Sequence, residues 1–195
     1  MKKISILISL IILTLQAQAQ LAHYQSEFNK INENLMLGLG SWAVSNFVFS
    51  GFSYVTSQDE STKHFHEMNV MWNTVNLGLA VPGYLKAKRG GKELTLEEMM
   101  KEQKKTETIF LVNDILDLGY IATGIWMKNE AVNQAGRADM YRGYGNSLIL
   151  QGSFLLAFDA YAYYVHRNHA KQLPMLEKVS VHTIGTGLGV VITLD

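Results

Sequence analysis

Four long apolar segments, separated by short polar connections, dominate the pattern of hydrophobic and polar positions along the chain. The first is the clearest, because the 25 residues between Glu33 and Asp59 contain no charged side chain. An α-helix rises about 1.5 Å per residue and the hydrocarbon core of a bilayer is about 30 Å thick, so each segment is long enough, or nearly so, to cross it. We predict four transmembrane helices, at about residues 35–57, 68–86, 108–127 and 143–165.

A water-soluble exported four-helix bundle is the competing interpretation, because the mean hydropathy is only +0.03 and every segment contains Asn, Asp, Ser or Gly. The first segment favours the membrane. A soluble bundle helix keeps a polar face along its whole length, whereas this one has Leu, Trp, Val and Phe on all sides. Aromatic residues near segment ends, such as Tyr54, Trp126 and Tyr164, are typical of the headgroup region. The sequence thus predicts an all-α fold, a four-helix transmembrane bundle of two antiparallel hairpins.

The first 19 residues have the pattern of a secretory signal peptide. Lys2 and Lys3 precede the apolar residues 4–15, and an A-x-A cleavage site follows. This apolar run is shorter than the roughly 20 residues of a comfortable span, although an uncleaved anchor is the alternative. We expect cleavage after Ala19 and a mature chain that begins near Gln20.

The connections predict how the rest of the chain is organised. Short polar stretches join the first helix to the second and the third to the fourth, which favours antiparallel hairpins. In the middle connection Thr95 and Glu98 have the spacing of a capping box, so a helix should begin there and could continue into the third span. We assign residues 20–173 to the bundle. Residues 174–195 contain two β-branched runs separated by glycines, which predict a short β-hairpin; a frayed tail is the alternative.

Charge and cysteine content exclude several classes of protein. The 17 basic and 17 acidic residues balance, and no basic stripe is present, so a nucleic-acid partner is not expected. The absence of cysteine excludes disulfide scaffolds, thiolate zinc sites, iron–sulfur clusters and cysteine nucleophiles. No catalytic motif appears in the sequence, and neither a catalytic residue nor a cofactor is predicted.

Polar side chains inside the predicted spans are the main hint of function. Acids at membrane depth cost roughly 2.5–3.5 kcal/mol each on insertion scales, so they should face the bundle interior. The spans contain three aspartates and no lysine or arginine at the same depth, so the acids must be protonated, hydrated or bound to a cation. The candidate ligand-binding residues are Asn69, Asn73, Asn76, Asn113, Asp114, Asp117 and Asp159. The competing interpretation, which we prefer, is that these residues hold the helices together, with about 0.6–2 kcal/mol from each contact.

A weaker candidate lies at the entrance to the second span. His64 and His66, with Glu67, form an H-x-H-E cluster that could bind a metal. Histidine pairs in loops are usually solvated, so no metal site is predicted, and these two residues remain weak candidates only.

Several phrases of the sequence resemble an uncharacterised family of small exported membrane proteins from Bacteroidota. They are LGSWAVSN, FHEMNVMWNTVNLGLAVPGY, YGNSLILQG and FDAYAYYVH. The resemblance covers nearly the whole mature chain and implies a four-helix membrane protein. It implies no activity and assigns a role to no residue.

These features predict a membrane protein of the bacterial cell envelope, in the inner membrane rather than the outer. Its expected role is non-enzymatic, either structural and assembly or accessory. The alternative is a carrier of a small molecule or cation, and a metal-dependent membrane enzyme is a more distant one. The expected partners are the lipid bilayer and either a second copy or another envelope protein. A cleaved signal places the basic 86–105 connection outside, whereas the positive-inside rule prefers it inside; we expect the signal to decide.

Overall fold

The computed structural model describes residues 2–173, 179–184 and 187–192, and it is built from four long helices. They are α1 (Lys2–Thr56), α2 (Glu60–Arg89), α3 (Leu96–Glu130) and α4 (Ala138–Ala170), with a 3₁₀ turn at Ala131–Asn133. The prediction of an all-α four-helix bundle is confirmed for residues 2–173. Each predicted span lies within one of these helices, apart from the last residue of the first.

Local hydrogen bonds explain where α2 and α3 begin. Asp59 caps α2 by accepting from the backbone nitrogen of Thr62 at 2.7 Å, and the Thr62 side-chain and backbone hydrogen bonds lower the pKa of the Asp59 carboxyl. Thr95 and Glu98 form the predicted capping box at the start of α3. Hydrogen bonds from Lys92 and from the Thr95 backbone lower the pKa of Glu98 to about 2. α3 then runs without a break into the third apolar segment.

The helices pack as two hairpins placed side by side. α1 packs along α2 and α3 packs along α4, while α2 joins the two pairs through α4. The connection at residues 90–95 therefore lies at one end of the bundle, together with the end of α4. We call this the basic end, because seven lysines and arginines lie between residues 86 and 105.

Glycine lets α3 and α4 approach closely. A Cβ built on Gly145 would lie 2.7 Å from the Gly124 carbonyl oxygen, and one on Gly124 would lie 2.6 Å from the Gly145 oxygen. Gly152 makes a similar approach to the backbone of α3, and Gly143 approaches the backbone of α2 at Ser61. Small residues of this kind are typical of helix interfaces in membranes.

The hydrophobic clusters lie towards the basic end. One contains Tyr24, Phe28, Met99 and Leu173, with Leu21 packed against it. The other contains Leu35, Phe110 and Ala162. Leu21 is the first described side chain of α1 that belongs to either cluster.

Two short strands follow α4. β1 (Val179–Ile184) and β2 (Gly187–Ile192) pair antiparallel. Residues 185 and 186, which would form the turn, lie outside the described residues, as do residues 174–178 and 193–195. The β-hairpin and its packing on the bundle stay predictions.

Within the described residues, three helical segments are long and apolar enough to cross a membrane, judged by length and composition. They are Leu15–Thr56, Leu96–Asn133 and Ala138–Ala170. α2 is not among them. Its three buried asparagines lower the hydropathy of the segment, so a span in α2 stays a prediction.

Candidate functional site

The bundle has a polar interior and an apolar exterior. Among the described residues, as many polar as hydrophobic side chains are buried, and they include Asp117, Asp159 and His166. Large apolar side chains are exposed on all four helices, for example Val48 and Ile115, each 66% exposed. Burying polar groups while exposing apolar ones costs free energy in water. In a bilayer the same distribution is favourable, because the exterior then contacts hydrocarbon.

Asn69 is the centre of a hydrogen-bond network across three helices. Its Oδ1 accepts from Ser147 Oγ at 2.8 Å and from Gln151 Nε2 at 2.9 Å, which joins α2 to α4. Gln151 Oε1 in turn accepts from Trp42 Nε1 at 3.1 Å, which extends the network to α1. Asn69, Ser147 and Gln151 are all buried. The network links both hairpins. The side-chain oxygens of Asn69 and Gln151 both accept hydrogen bonds from protein donors.

Asn73 and Asn76 are also buried, as their spacing from Asn69 predicts, but they do not reach another helix. Asn73 Nδ2 donates to the Asn69 backbone oxygen at 2.7 Å. Asn76 Nδ2 donates to Asn73 Oδ1 at 3.4 Å, a long and therefore weak bond. The three amides form a continuous polar strip on α2, and among the described residues only Asn69 bonds across the bundle.

The predicted acids meet between α3 and α4. The Asp117 and Asp159 carboxyls lie close to each other, and the Asn113 side chain lies near Asp159. One oxygen of Asp117 and one of Asp114 are buried without a hydrogen-bond partner in the described structure. None of the ion pairs among the described residues includes one of these aspartates. Two neighbouring carboxyls without a nearby cation resist double ionisation.

The two weak metal candidates lie in the first turns of α2 and contact different groups. His64 Nδ1 lies 3.0 Å from Glu67 Oε2, and the same oxygen accepts from Tyr144 at 3.0 Å. The hydrogen bond with His64 lowers the pKa of Glu67. His66 Nδ1 instead lies 3.2 Å from Ser50 Oγ on α1. Within residues 2–173 and the two strands, no group of three or more His, Asp or Glu side chains is placed to hold a metal ion.

A second polar cluster lies at the basic end, where sequence patterns predicted no site residues. Tyr24 donates to Gln103 Oε1 at 2.9 Å, and Gln103 Nε2 donates to Glu107 at 2.9 Å and to the His166 backbone oxygen at 2.8 Å. Tyr24 also stacks on His169, with 4.0 Å between ring centroids. These contacts tie the start of the predicted mature chain to α3 and α4. The only signal for them in the sequence is the i, i+4 spacing of Gln103 and Glu107.

The packing of His166 is unusual for a polar residue. Its ring is fully buried between Phe28 and Phe110, at centroid distances of 5.1 and 5.7 Å. Neither ring nitrogen has a hydrogen-bond partner in the described structure. The side chain therefore packs as an aromatic group in the interior of the bundle.

The geometry defines a class of protein: an all-α four-helix bundle with a polar interior and three helices able to cross a membrane by length and composition. The model of a family of unknown function, DUF6992, matches residues 38–160. The chain belongs to this family. The sequence resemblance is thus confirmed as far as membership of a family of unknown function. No curated protein and no solved structure matches the chain.

Proposed function

We propose that the protein is an integral membrane protein of the bacterial cell envelope with a non-enzymatic structural, assembly or accessory role. The observation that carries the proposal is the reversal of interior and exterior polarity. Exposed Val48, Phe52 and Ile115 would contact acyl chains, while Asn69 and Asp159 stay inside the bundle. No ligand is needed to explain why these polar residues are buried.

The interior supports a structural role over a catalytic one. The Asn69 side-chain oxygen accepts two hydrogen bonds from side chains of α4, so its contacts join two helices without a ligand. The two clefts described in the structure are lined at the basic end by other residues, and neither borders Asn69 or Asp159. The polar strip therefore serves to join helices.

The proposal includes export by a cleaved signal peptide. Support comes from where packing begins: Leu21 and Tyr24 contact the bundle, whereas residues 18–20 are exposed. Among residues 1–19, none of the side chains that the structure describes belongs to either hydrophobic cluster. The apolar exterior of α1 near Phe52 could contact lipid, a second copy or another envelope protein.

Expression in a bacterial host with fractionation of its membranes tests this proposal. We expect the protein in the membrane fraction after alkaline carbonate washing, with an intact mass that corresponds to a chain beginning near Gln20. The full-length mass in that fraction would support the uncleaved anchor instead. Recovery of the mature chain in the soluble fraction would contradict membrane insertion.

A carrier of a cation or small molecule is the second candidate, because the neighbouring Asp117 and Asp159 carboxyls have no cationic partner among the described residues. If the pair binds a small monovalent cation, replacing choline with sodium or potassium should raise the melting temperature of the purified protein. The Asp117→Asn variant should fold with a similar melting temperature in choline and lose the increase. A wild-type melting temperature that is the same in all three salts would contradict cation binding.

A further inference from the structure

A cleft of about 650 Å³ at the basic end is lined by α1, by the end of α2 and by the start of α3. Its apolar lining includes the buried Phe28 and Phe110, together with Met36 and Ile109. Its polar lining contains four lysines, and the α1 side contributes amide groups from Asn29 and Asn32. The cleft therefore combines an apolar lining with a basic one.

The charge of the cleft favours an anion. Its lysines are Lys86, Lys92, Lys101 and Lys105, against two glutamates, Glu98 and Glu102. Lys86 pairs with Glu102 at 3.4 Å and Lys92 pairs with Glu98 at 2.8 Å. Lys101 pairs with Glu97, which lies outside the lining, at 2.6 Å. Lys105 has no ion-pair partner among the described residues, so its positive charge is left for an anion.

The cleft lies at the depth where a lipid headgroup would be. Lys86 is the last residue of the second predicted span, and Lys105 precedes the third by three residues. Met36 and Ile109 lie just inside the first and third predicted spans. Under the proposed membrane insertion, the lysines are at the headgroup level and the apolar part extends into the hydrocarbon.

The wall of the cleft is held in place by α1. Gln25 Nε2 donates to the Lys92 carbonyl oxygen at 2.9 Å, and Gln25 Oε1 accepts from the Leu94 backbone nitrogen at 3.0 Å. These two bonds attach the connection at residues 90–95 to the first helix. A preformed site loses less ordering entropy when a ligand binds.

We propose that this cleft binds one anionic phospholipid, with its phosphate near Lys86 and Lys105 and an acyl chain along Met36, Ile109 and Phe110. The inference rests on the proposed membrane insertion. Basic pockets between helices at the headgroup level suit anionic headgroups. The apolar lining suits an acyl chain, whereas a free anion would make no use of it.

Titration of the full mature protein in detergent micelles with phosphatidylglycerol or phosphatidylcholine of the same acyl chains tests the proposal. Phosphatidylglycerol should raise the melting temperature more than phosphatidylcholine at equal concentration. The double variant Lys86→Gln with Lys105→Gln should weaken the apparent phosphatidylglycerol affinity by about tenfold.

The matched control is Lys88→Gln with Lys104→Gln, which removes two charges from the same end without altering the lining. Its phosphatidylglycerol affinity should stay close to that of the wild type. A further variant, Thr106→Trp, fills the cleft while keeping the lysines. It should also lose the preference for phosphatidylglycerol over phosphatidylcholine. Circular dichroism of each variant establishes that it is folded.

Three results would overturn the proposal. They are equal stabilisation by the two lipids, equal weakening in the two double variants, and stabilisation by inorganic phosphate that matches phosphatidylglycerol. Failure of the proposed membrane insertion is a different outcome, because the protein would then not associate with lipid at all. A protein that inserts but does not discriminate between lipids contradicts only the lipid site.

Discussion

Replacing Gly145 with alanine should lower the free energy of unfolding by about 1–3 kcal/mol, the usual effect of overpacking a close contact. The new Cβ would lie 2.7 Å from the Gly124 carbonyl oxygen and 2.8 Å from Cγ of Lys128. A lysine side chain can move, but the backbone oxygen cannot move without separating α3 from α4. The measurement is unfolding in mixed micelles, followed by circular dichroism.

Gly119→Ala is the matched control, since it makes the same chemical change on α3. Nothing lies within 4 Å of a Cβ at this position. Alanine has the higher helix propensity, so this variant should be neutral or more stable by about 0.5–1 kcal/mol. Similar destabilisation of both variants would mean that the contact between Gly124 and Gly145 is not the cause.

Replacing Asn69 with leucine should also destabilise the bundle strongly, by about 2–4 kcal/mol. The substitution keeps the branched shape at Cγ, in a somewhat larger side chain, but removes the acceptor of two hydrogen bonds. Ser147 Oγ and Gln151 Nε2 would then be left buried without their partner. The same unfolding measurement in micelles gives the decrease in the free energy of unfolding. Cross-linking between α2 and α4 would show whether the two hairpins separate.

Asn76→Leu serves as the comparison, because Asn76 is equally buried on the same face of α2. The hydrogen bond that it makes within the described part of the chain is long and stays within the helix. We expect a change smaller than about 1 kcal/mol, since a bond of this length contributes little. Equal losses for the two variants would indicate that the asparagines act through burial alone, and that the network across helices is not the stabilising feature.

The sequence was sufficient to predict the helices. Long uncharged runs and short polar connections indicate four of them, and the Thr95 and Glu98 spacing correctly places the start of α3. The same patterns predict that Asn69, Asn73 and Asn76 share a buried face. Each of these inferences concerns a single helix, where residue spacing directly determines geometry.

Partners across helices could not be predicted in the same way. Helical periodicity indicates which side chains share a face, and it contains no information about the helix opposite. Ser147 and Gln151 are four residues apart on α4, yet nothing in the sequence connects them with Asn69. The cluster of Tyr24, Gln103 and His166 was missed for the same reason, and because it lies outside the predicted spans. Its members are up to 142 residues apart along the chain.

The most direct test of membrane insertion uses the absence of cysteine from the natural sequence. Val48→Cys and Ile115→Cys place a thiol at helix positions that are 66% exposed, whereas Gln58→Cys and Gly91→Cys place one in exposed connections. The measurement is labelling by a membrane-impermeant maleimide in membranes opened so that the reagent reaches both faces. The thiols in the connections should react readily, and those at positions 48 and 115 should react only after the lipid is removed with a denaturing detergent. Equally fast labelling at all four positions before lipid removal would contradict a bundle whose apolar exterior contacts hydrocarbon.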